Sequence, residues 1–137
     1  MHSSQFAEWL NKITRDYKKH MEEHLAPHLT EGQFHVLEYL IAQPAPHKPS
    51  DLLDYLATTP AAITTLLDRM ERGGLIRRER DSQDRRIVWI HLTEKGEQEG
   101  RRGMAIKEQF LGQCLDRISA HNQQLFIYLL GKVAGDS

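Results

Sequence analysis

The sequence has little cysteine and no long apolar run, and each shortage excludes a class of protein. Its single cysteine, Cys114, excludes an internal disulfide and any site built from paired cysteines. The N-terminal stretch mixes charged with apolar side chains, so it resembles neither the continuous apolar core of a signal peptide nor a membrane span of about 20 apolar residues. We therefore expect a cytoplasmic protein without membrane contact.

The 137 residues also contain no repeat, no low-complexity segment and no long linker. A content of 39% hydrophobic and 27% charged residues is typical of an ordinary globular protein. The sequence therefore predicts one compact domain over residues 1–137.

The net charge of −1 conceals an uneven distribution. Residues 69–86 contain seven arginines against four acidic residues, whereas residues 1–60 contain five lysines and arginines against eight acidic residues. An arginine patch in a chain that is acidic elsewhere is expected where phosphates dock. A solvated surface loop is the simpler explanation of a charge run taken alone.

Apolar residues at spacings of three and four predict a long first helix, which Pro27 ends. Thr30 and Gln33 form a capping-box pattern that opens a second helix, and this helix stops before Pro44. The apolar face of the first helix contains Phe6, Trp9, Leu10, Ile13 and Tyr17, and that of the second contains Phe34, Leu37, Leu40 and Ile41.

Two further helices are predicted from their caps. Ser50 is expected to cap a short helix over residues 51–56. Thr59 followed by Pro60 is an N-cap with proline at the first helical position, so a fourth helix runs from there to Gly73 and Gly74.

The hydrophobic period then changes, and residues 75–80 and 86–92 predict a hairpin around a polar turn. Thr93 restarts a helix that we expect to reach Ile118 with fraying at Gly100 and Gly103. A final apolar helix contains Leu125, Phe126, Leu129, Leu130 and Val133.

A short helix, a tight turn, a longer helix and a basic hairpin follow one another in the order of a winged helix-turn-helix. The predicted fold is therefore mainly α with a small β-hairpin wing. In this arrangement the helix from Thr59 enters the major groove, and Ile63, Leu66, Leu67 and Met70 form its core-facing stripe.

The stretch from Pro60 to Gly96 resembles the most diagnostic part of the MarR (multiple antibiotic resistance regulator) family. The matching motifs are Asp68-Arg69-Met70-Glu71, Gly74-Leu75-Ile76-Arg77-Arg78, Asp81-Ser82-Gln83-Asp84-Arg85-Arg86 and Leu92-Thr93-Glu94-Lys95-Gly96. The resemblance implies a winged-helix lobe over residues 30–96 and dimerisation helices over residues 1–26 and 97–137. It implies a homodimeric regulator of transcription that binds double-stranded DNA at a pseudo-palindromic operator.

The resemblance also implies roles for individual residues. Arg86, oriented by Asp84, would enter a minor groove, with Arg85 as a less certain partner. Arg77 and Arg78 are candidates for phosphate contacts, although each could equally be a strand residue paired with a nearby acid. The residues that would face bases are Pro60, Ala61, Thr64 and Thr65, with Arg69 on a neighbouring phosphate.

A different function is suggested by His20-Met21-Glu22-Glu23-His24, which fits the H-x-x-E-H pattern of a zinc peptidase. Such a match arises easily by chance on a helix, and exposed or partner-bonded histidines are the simpler explanation. A zinc-sensing regulator is a second alternative, with ligands drawn from His20, His24, His28 and His35.

The sequence leaves the effector open. Four aromatic residues, Trp9, Tyr17, Phe34 and Tyr39, could line a ligand cleft between the dimer helices and the DNA-reading lobe, or could be plain core. Cys114 lies among apolar residues and is interpreted as a small core residue with a poorly reactive thiol. We expect a ligand-responsive repressor with no enzymatic activity, no cofactor and no metal site.

Overall fold

The computed structural model of the chain describes residues 1–136 and consists of helices and one two-stranded hairpin. The mainly α class with a small β-hairpin is therefore confirmed. The elements in chain order are α1 (His2–Leu25), α2 (Glu31–Ala42), α3 (Pro49–Leu56), α4 (Pro60–Arg72), β1 (Ile76–Arg80), β2 (Val88–Leu92), α5 (Glu94–Leu115) and α6 (Ala120–Val133).

Local capping sets the helix starts. At α2, the Thr30 hydroxyl accepts a hydrogen bond from the backbone N–H of Gln33 at 3.2 Å, and the Gln33 side chain accepts one from the Thr30 backbone at 3.1 Å. At α4, the Thr59 hydroxyl accepts from the backbone of Ala62 at 3.2 Å, and Pro60 takes the first helical position. Both predicted starts are confirmed.

The predicted start of α3 is wrong by two residues. Lys48, not Ser50, is the N-cap, and its backbone N–H donates to the carboxylate of Asp51 at 2.8 Å. Pro49 then occupies the first helical position. Proline favours that position because its φ angle is already helical and it has no N–H to satisfy.

One hydrophobic core joins α1, α2, α3 and α4 to the hairpin. Helix α2 contributes the most buried side chains, and the second half of α1 packs on it. The fully or almost fully buried residues are Met21, Leu25, Leu29, Phe34, Val36, Leu37, Leu40, Leu52, Ile63, Leu67, Met70, Leu75, Ile76 and Ile90.

The hairpin is antiparallel and pairs Ile76 with Leu92 at its base and Arg80 with Val88 at its tip. A third segment completes it, because the backbone N–H of Ile90 donates to the carbonyl of His47 at 2.9 Å. Sequence patterning did not predict this bridge. It attaches the wing, defined here as residues 76–92, to the segment that precedes α3.

The glycines of α5 do not fray the helix, so that expectation is wrong. Helix α5 is continuous, and Gly96, Gly100 and Gly103 are buried. A methyl group on Gly100 would lie 2.6 Å from Cδ1 of Ile41, and one on Gly103 would overlap the ring of Phe34. Gly100 and Gly103 are therefore close-packing positions where α5 rests on α2, and Gly96 is one where α5 meets the backbone of Leu75.

The two ends of the chain leave apolar side chains uncovered. No residue of α6 is buried, and the first half of α1 is exposed throughout. Within residues 1–136 no helix is both long and apolar enough to cross a membrane. The exposed apolar residues of these two helices are Phe6, Trp9, Leu10, Ile13, Leu125, Phe126, Ile127, Tyr128, Leu129, Leu130 and Val133.

Candidate nucleic-acid interface

Helix α4 has one buried face and one open face. Ile63, Leu67 and Met70 are buried in the core, and Leu66 is half-buried beside them. The Thr64 hydroxyl donates to the carbonyl of Pro60 at 3.0 Å, so its proton is used inside the helix. The sequence-predicted residues that the helix exposes together are Pro60, Ala61, Thr64, Thr65 and Arg69.

The tip of the wing presents a guanidinium group in a fixed orientation. Asp84 accepts from Nε of Arg86 at 3.0 Å, from its Nη2 at 3.1 Å and from its backbone N–H at 3.1 Å. This bidentate pair lowers the pKa of Asp84 and raises the pKa of Arg86. The Arg86 side chain is nevertheless 91% exposed. It is therefore oriented and still free to approach a partner.

A second carboxylate, Asp81, organises the loop behind Arg86. It accepts from the indole N–H of Trp89 at 2.9 Å and from the backbone N–H groups of Gln83 at 3.0 Å and Asp84 at 2.9 Å. The bond from Trp89 is the largest cause of the lowered pKa of Asp81. Sequence reasoning did not assign Asp81 or Trp89 a role. An aspartate at the start of a polar turn is a known signal for such backbone bonds.

Arg78 joins the wing to α4. Its guanidinium lies 2.6 Å from the carboxylate of Asp68 and 2.9 Å from that of Glu71, and its backbone N–H donates to Glu71 at 2.8 Å. The side chain is only 25% exposed. Hydrogen bonds from Arg78 lower the pKa of Glu71. Of the two interpretations left open by the sequence, the acid-paired one describes the position of Arg78.

The other predicted arginines lie at the surface. Arg77 pairs with Glu79 at 2.9 Å, and both side chains are about three-fifths exposed, at 60% and 59%. Arg85 is exposed, and its carbonyl accepts from Nη1 of Arg80 at 2.7 Å. Arg69 is exposed on α4. The wing and the open face of α4 thus carry several arginines that are free to meet an anionic polymer.

The four aromatic residues of the expected ligand cleft are not brought together. Phe34 is fully buried in the core, where it meets α5, whereas Trp9 is 58% exposed on the first half of α1. Tyr17 is half-buried against Phe110 with ring centres 5.7 Å apart, and Tyr39 is half-buried beside Tyr55. Phe34 is therefore a core residue. Of the four aromatic residues, only Tyr17 and Tyr39 lie between helices with their side chains partly exposed.

The two zinc alternatives find no support. The rings of His20 and His24 stack with centres 3.9 Å apart, and Nδ1 of His24 lies 2.8 Å from the carbonyl of His20. Zinc requires three or four convergent ligands. In the part of the chain that the structure describes, residues 1–136, no group of three or more histidine, cysteine or acidic side chains could hold a metal ion.

Known proteins share this arrangement. The sequence model of the MarR family matches residues 29–88. The transcriptional regulator HosA of Escherichia coli is 32% identical over 111 residues, which are 81% of this chain and 82% of that protein.

Solved structures agree over nearly the whole chain. A MarR family protein from Bacillus stearothermophilus is 26% identical and superposes with a TM-score of 0.85, covering 98% of this chain and 94% of that one. S. aureus MepR, solved as a complex with DNA, is 25% identical with a TM-score of 0.80 and coverage of 96% and 98%. The chain therefore belongs to the MarR family of DNA-binding transcription regulators.

Proposed function

We propose that this protein is a cytoplasmic, ligand-responsive repressor that binds a pseudo-palindromic operator as a homodimer and has no catalytic activity. The observation that carries the proposal is the wing tip, where Asp84 holds the almost fully exposed guanidinium of Arg86 through two side-chain hydrogen bonds.

Arg86 enters the minor groove beside the half-site in this proposal. A narrow A·T-rich groove concentrates negative potential, which attracts a guanidinium group. Because Asp84 fixes the side chain before DNA is present, less rotamer freedom is lost on binding. Arg85 is exposed on the same turn and supplies a second positive charge.

Helix α4 lies in the major groove. Ala61 and Thr65 expose small side chains near its N-terminus, and these allow close approach to base edges. The N-terminus of the helix favours a phosphate, and Arg69 contacts another. Arg77, exposed at the wing base, is a further phosphate contact, whereas Arg78 holds α4 and the wing in register.

Two copies of the chain bury the apolar side chains that α1 and α6 expose. Exposed contiguous apolar patches of this kind mark interaction surfaces. A symmetric dimer places two α4 helices about one turn of DNA apart, which requires a pseudo-palindromic operator.

An effector acts on the contact between the dimer helices and the DNA-reading lobe (residues 30–96). That contact includes an ion pair from Lys107 of α5 to Glu38 of α2 at 2.8 Å, and Glu38 also accepts from the hydroxyl of Tyr55 at 3.3 Å. Tyr17 and Tyr39 are the effector-facing candidates. A small molecule releases DNA only if it binds the DNA-incompetent arrangement more tightly.

The test is a fluorescence-anisotropy titration of an operator duplex selected from a random library. Arg86→Ala should weaken binding by about 1–3 kcal/mol and relax the preference for A·T pairs at the flanks. Asp84→Ala should give a smaller loss, because Asp84 acts only by orienting the arginine.

Arg69→Ala is the matched control, since it removes an arginine that contacts phosphate alone. It should weaken specific and mixed-sequence duplexes alike and reduce the salt slope by about one unit. If a folded Arg86→Ala dimer binds the operator as tightly as the parent at every salt concentration, the proposed wing contact is wrong.

A further inference from the structure

Behind Arg86, the wing contains a hydrogen bond from the side chain of Trp89 to that of Asp81. Trp89 lies in β2 opposite Glu79 of β1, and its indole N–H reaches Asp81, the first residue after β1, at 2.9 Å. The bond therefore connects one strand of the hairpin to the beginning of its loop. The indole is half-buried, which removes most competition from water for this bond.

Asp81 passes the constraint on to the loop. Its Oδ1 accepts from Trp89, while its Oδ2 accepts from the backbone N–H groups of Gln83 and Asp84. Because each oxygen is used on a different side, the orientation of the carboxylate is set by the strand and the loop together. Asp84 is thereby held at its backbone by the same carboxylate that Trp89 holds.

We propose that Trp89 is a positioning residue for DNA binding, which acts through Asp81 and Asp84 to fix the direction in which Arg86 points. The chain of hydrogen bonds runs from the Trp89 indole to Asp81, from the Asp84 backbone to Asp81, and from the Arg86 guanidinium to Asp84. This inference rests on the proposed role of Arg86 in the minor groove.

Electrostatics supports the same arrangement. Asp81 and Asp84 are both acidic and lie three residues apart, and the charge of Asp81 works to raise the pKa of Asp84. The indole N–H favours the ionised form of Asp81. Because the indole of Trp89 stabilises the charge of Asp81, this carboxylate keeps its two hydrogen bonds to the loop backbone in spite of the repulsion between Asp81 and Asp84.

Trp89 could instead act only by filling space, and Trp89→Phe separates the two roles because it keeps an aromatic ring and removes the donor. Loss of positioning should weaken binding to an operator with A·T flanks by about three- to tenfold, the fold-change that matches one ordinary hydrogen bond. Binding to a mixed-sequence duplex should change less. The carboxyl pKa of Asp81, followed by NMR, should rise in this variant.

His91→Phe is the matched control. His91 lies two residues further along β2 on the same face of the hairpin, and it contacts Glu79 rather than Asp81. This variant should bind both duplexes as the parent does and leave the titration of Asp81 unchanged. Asp81→Asn is a second test, because it keeps the indole ring in place and should reproduce the selective loss of operator binding.

The outcomes are distinct. If Arg86→Ala loses operator affinity while Trp89→Phe and Asp81→Asn keep it, positioning by Trp89 is wrong and the proposed function stands. An equal loss on both duplexes, accompanied by a lower melting temperature, would mean that Trp89 only supports folding and would also overturn the inference. If Arg86→Ala itself has no effect, the failure lies with the proposed function.

Discussion

The DNA-reading lobe and the two terminal helices, α1 and α6, differ in how far the chain covers their apolar side chains. In the lobe, apolar side chains of α2, α3 and α4 pack against one another and against the hairpin. Arg78 of β1 is paired with Asp68 and Glu71 of α4. In α6 and the first half of α1, a similar number of large apolar side chains stay about half exposed among the described residues 1–136. The lobe is therefore completed by its own sequence, whereas the terminal helices are completed by a second copy in the dimer proposed above.

The strongest way to break this comparison is to place charge on α6. Leu125 and Leu129 lie one helical turn apart and are about half exposed in the single chain. Replacing both by Glu would bury two unpaired charges from each copy of the chain in the dimer, so the dimer dissociation constant should rise at least about a hundredfold. Operator binding should fall with it. Analytical ultracentrifugation and anisotropy measure the two effects.

Gln124→Glu is the control for that variant, since it adds a charge to α6 at a position that is already polar and exposed. It should dimerise as the parent does. Circular dichroism should show that the lobe stays folded in the Leu125→Glu, Leu129→Glu protein at low temperature. A double variant that remains dimeric at micromolar concentration would contradict the assignment of α6 to the interface.

A second comparison uses two glycines of one helix. A methyl group on Gly103 would overlap the buried ring of Phe34, whereas one on Gly112 meets nothing within 4 Å. Gly103→Ala should therefore lower the free energy of unfolding by about 1–3 kcal/mol through overpacking. Gly112→Ala should raise it by about 0.5–1 kcal/mol, because alanine is the better helix former. Urea unfolding checks the opposite signs; two changes of the same sign would contradict the packing.

The ion pair between Arg78 of β1 and Glu71 of α4 tests how strongly the wing is joined to α4. A double-mutant cycle with Arg78→Ala and Glu71→Ala should give a coupling of about 1–2 kcal/mol in the free energy of unfolding, because the pair is partly shielded and bidentate. The exposed Arg77–Glu79 pair provides the reference and should couple by less than about 0.5 kcal/mol. Equal couplings would show that Arg78 does not join the wing to α4 in solution.

Tyr17 marks the point on α1 where the exposed half ends and the buried half begins. Burial first, and then the charges of Glu38 and Glu31, raise its pKa to about 12. A raised pKa means that the folded protein favours the neutral phenol. The contribution of Tyr17 to the free energy of unfolding is therefore complete below the ordinary pKa of 10 and is lost as the pH rises towards 12. Burial also raises the pKa of Tyr55, so ultraviolet titration of Tyr17→Phe should lose one of the two late tyrosine ionisations and keep the other. A high-pH titration identical to that of the parent would place Tyr17 in water.

Sequence patterns predicted the parts of the fold that depend on local chemistry. The caps at Thr30 and Thr59 are set by residues within one turn, and the wing is bounded by a change of hydrophobic period. The pairing of Asp84 with Arg86 was also predicted, because the resemblance to known regulators covers that turn.

Features that depend on distant partners were not predictable in the same way. Gly100 and Gly103 look like helix breakers until α2 is packed against them, and His47 has no visible link to Ile90. Trp89 reads as an ordinary strand residue because its partner, Asp81, lies eight positions away. The expected ligand cleft was defined by aromatic residue type alone, and one of its four residues, Phe34, is buried in the hydrophobic core.

The glycine contacts of α5 also have a mechanical consequence. Helix α5 begins directly after β2, and the Thr93 hydroxyl that caps it shares its one proton between the carbonyls of Gly74 and Leu75, at 2.6 Å and 2.9 Å. With 22 residues it is about 33 Å long. In the dimer proposed above, the wing, the glycine contacts and α5 move together, and a tilt of roughly 10° at the far end of α5 displaces the wing by about 6 Å over that length. A shift of that size exceeds the spacing of one base step, so on the proposed mode of DNA binding a small rearrangement between the two copies is enough to take the two wings out of phase with the DNA.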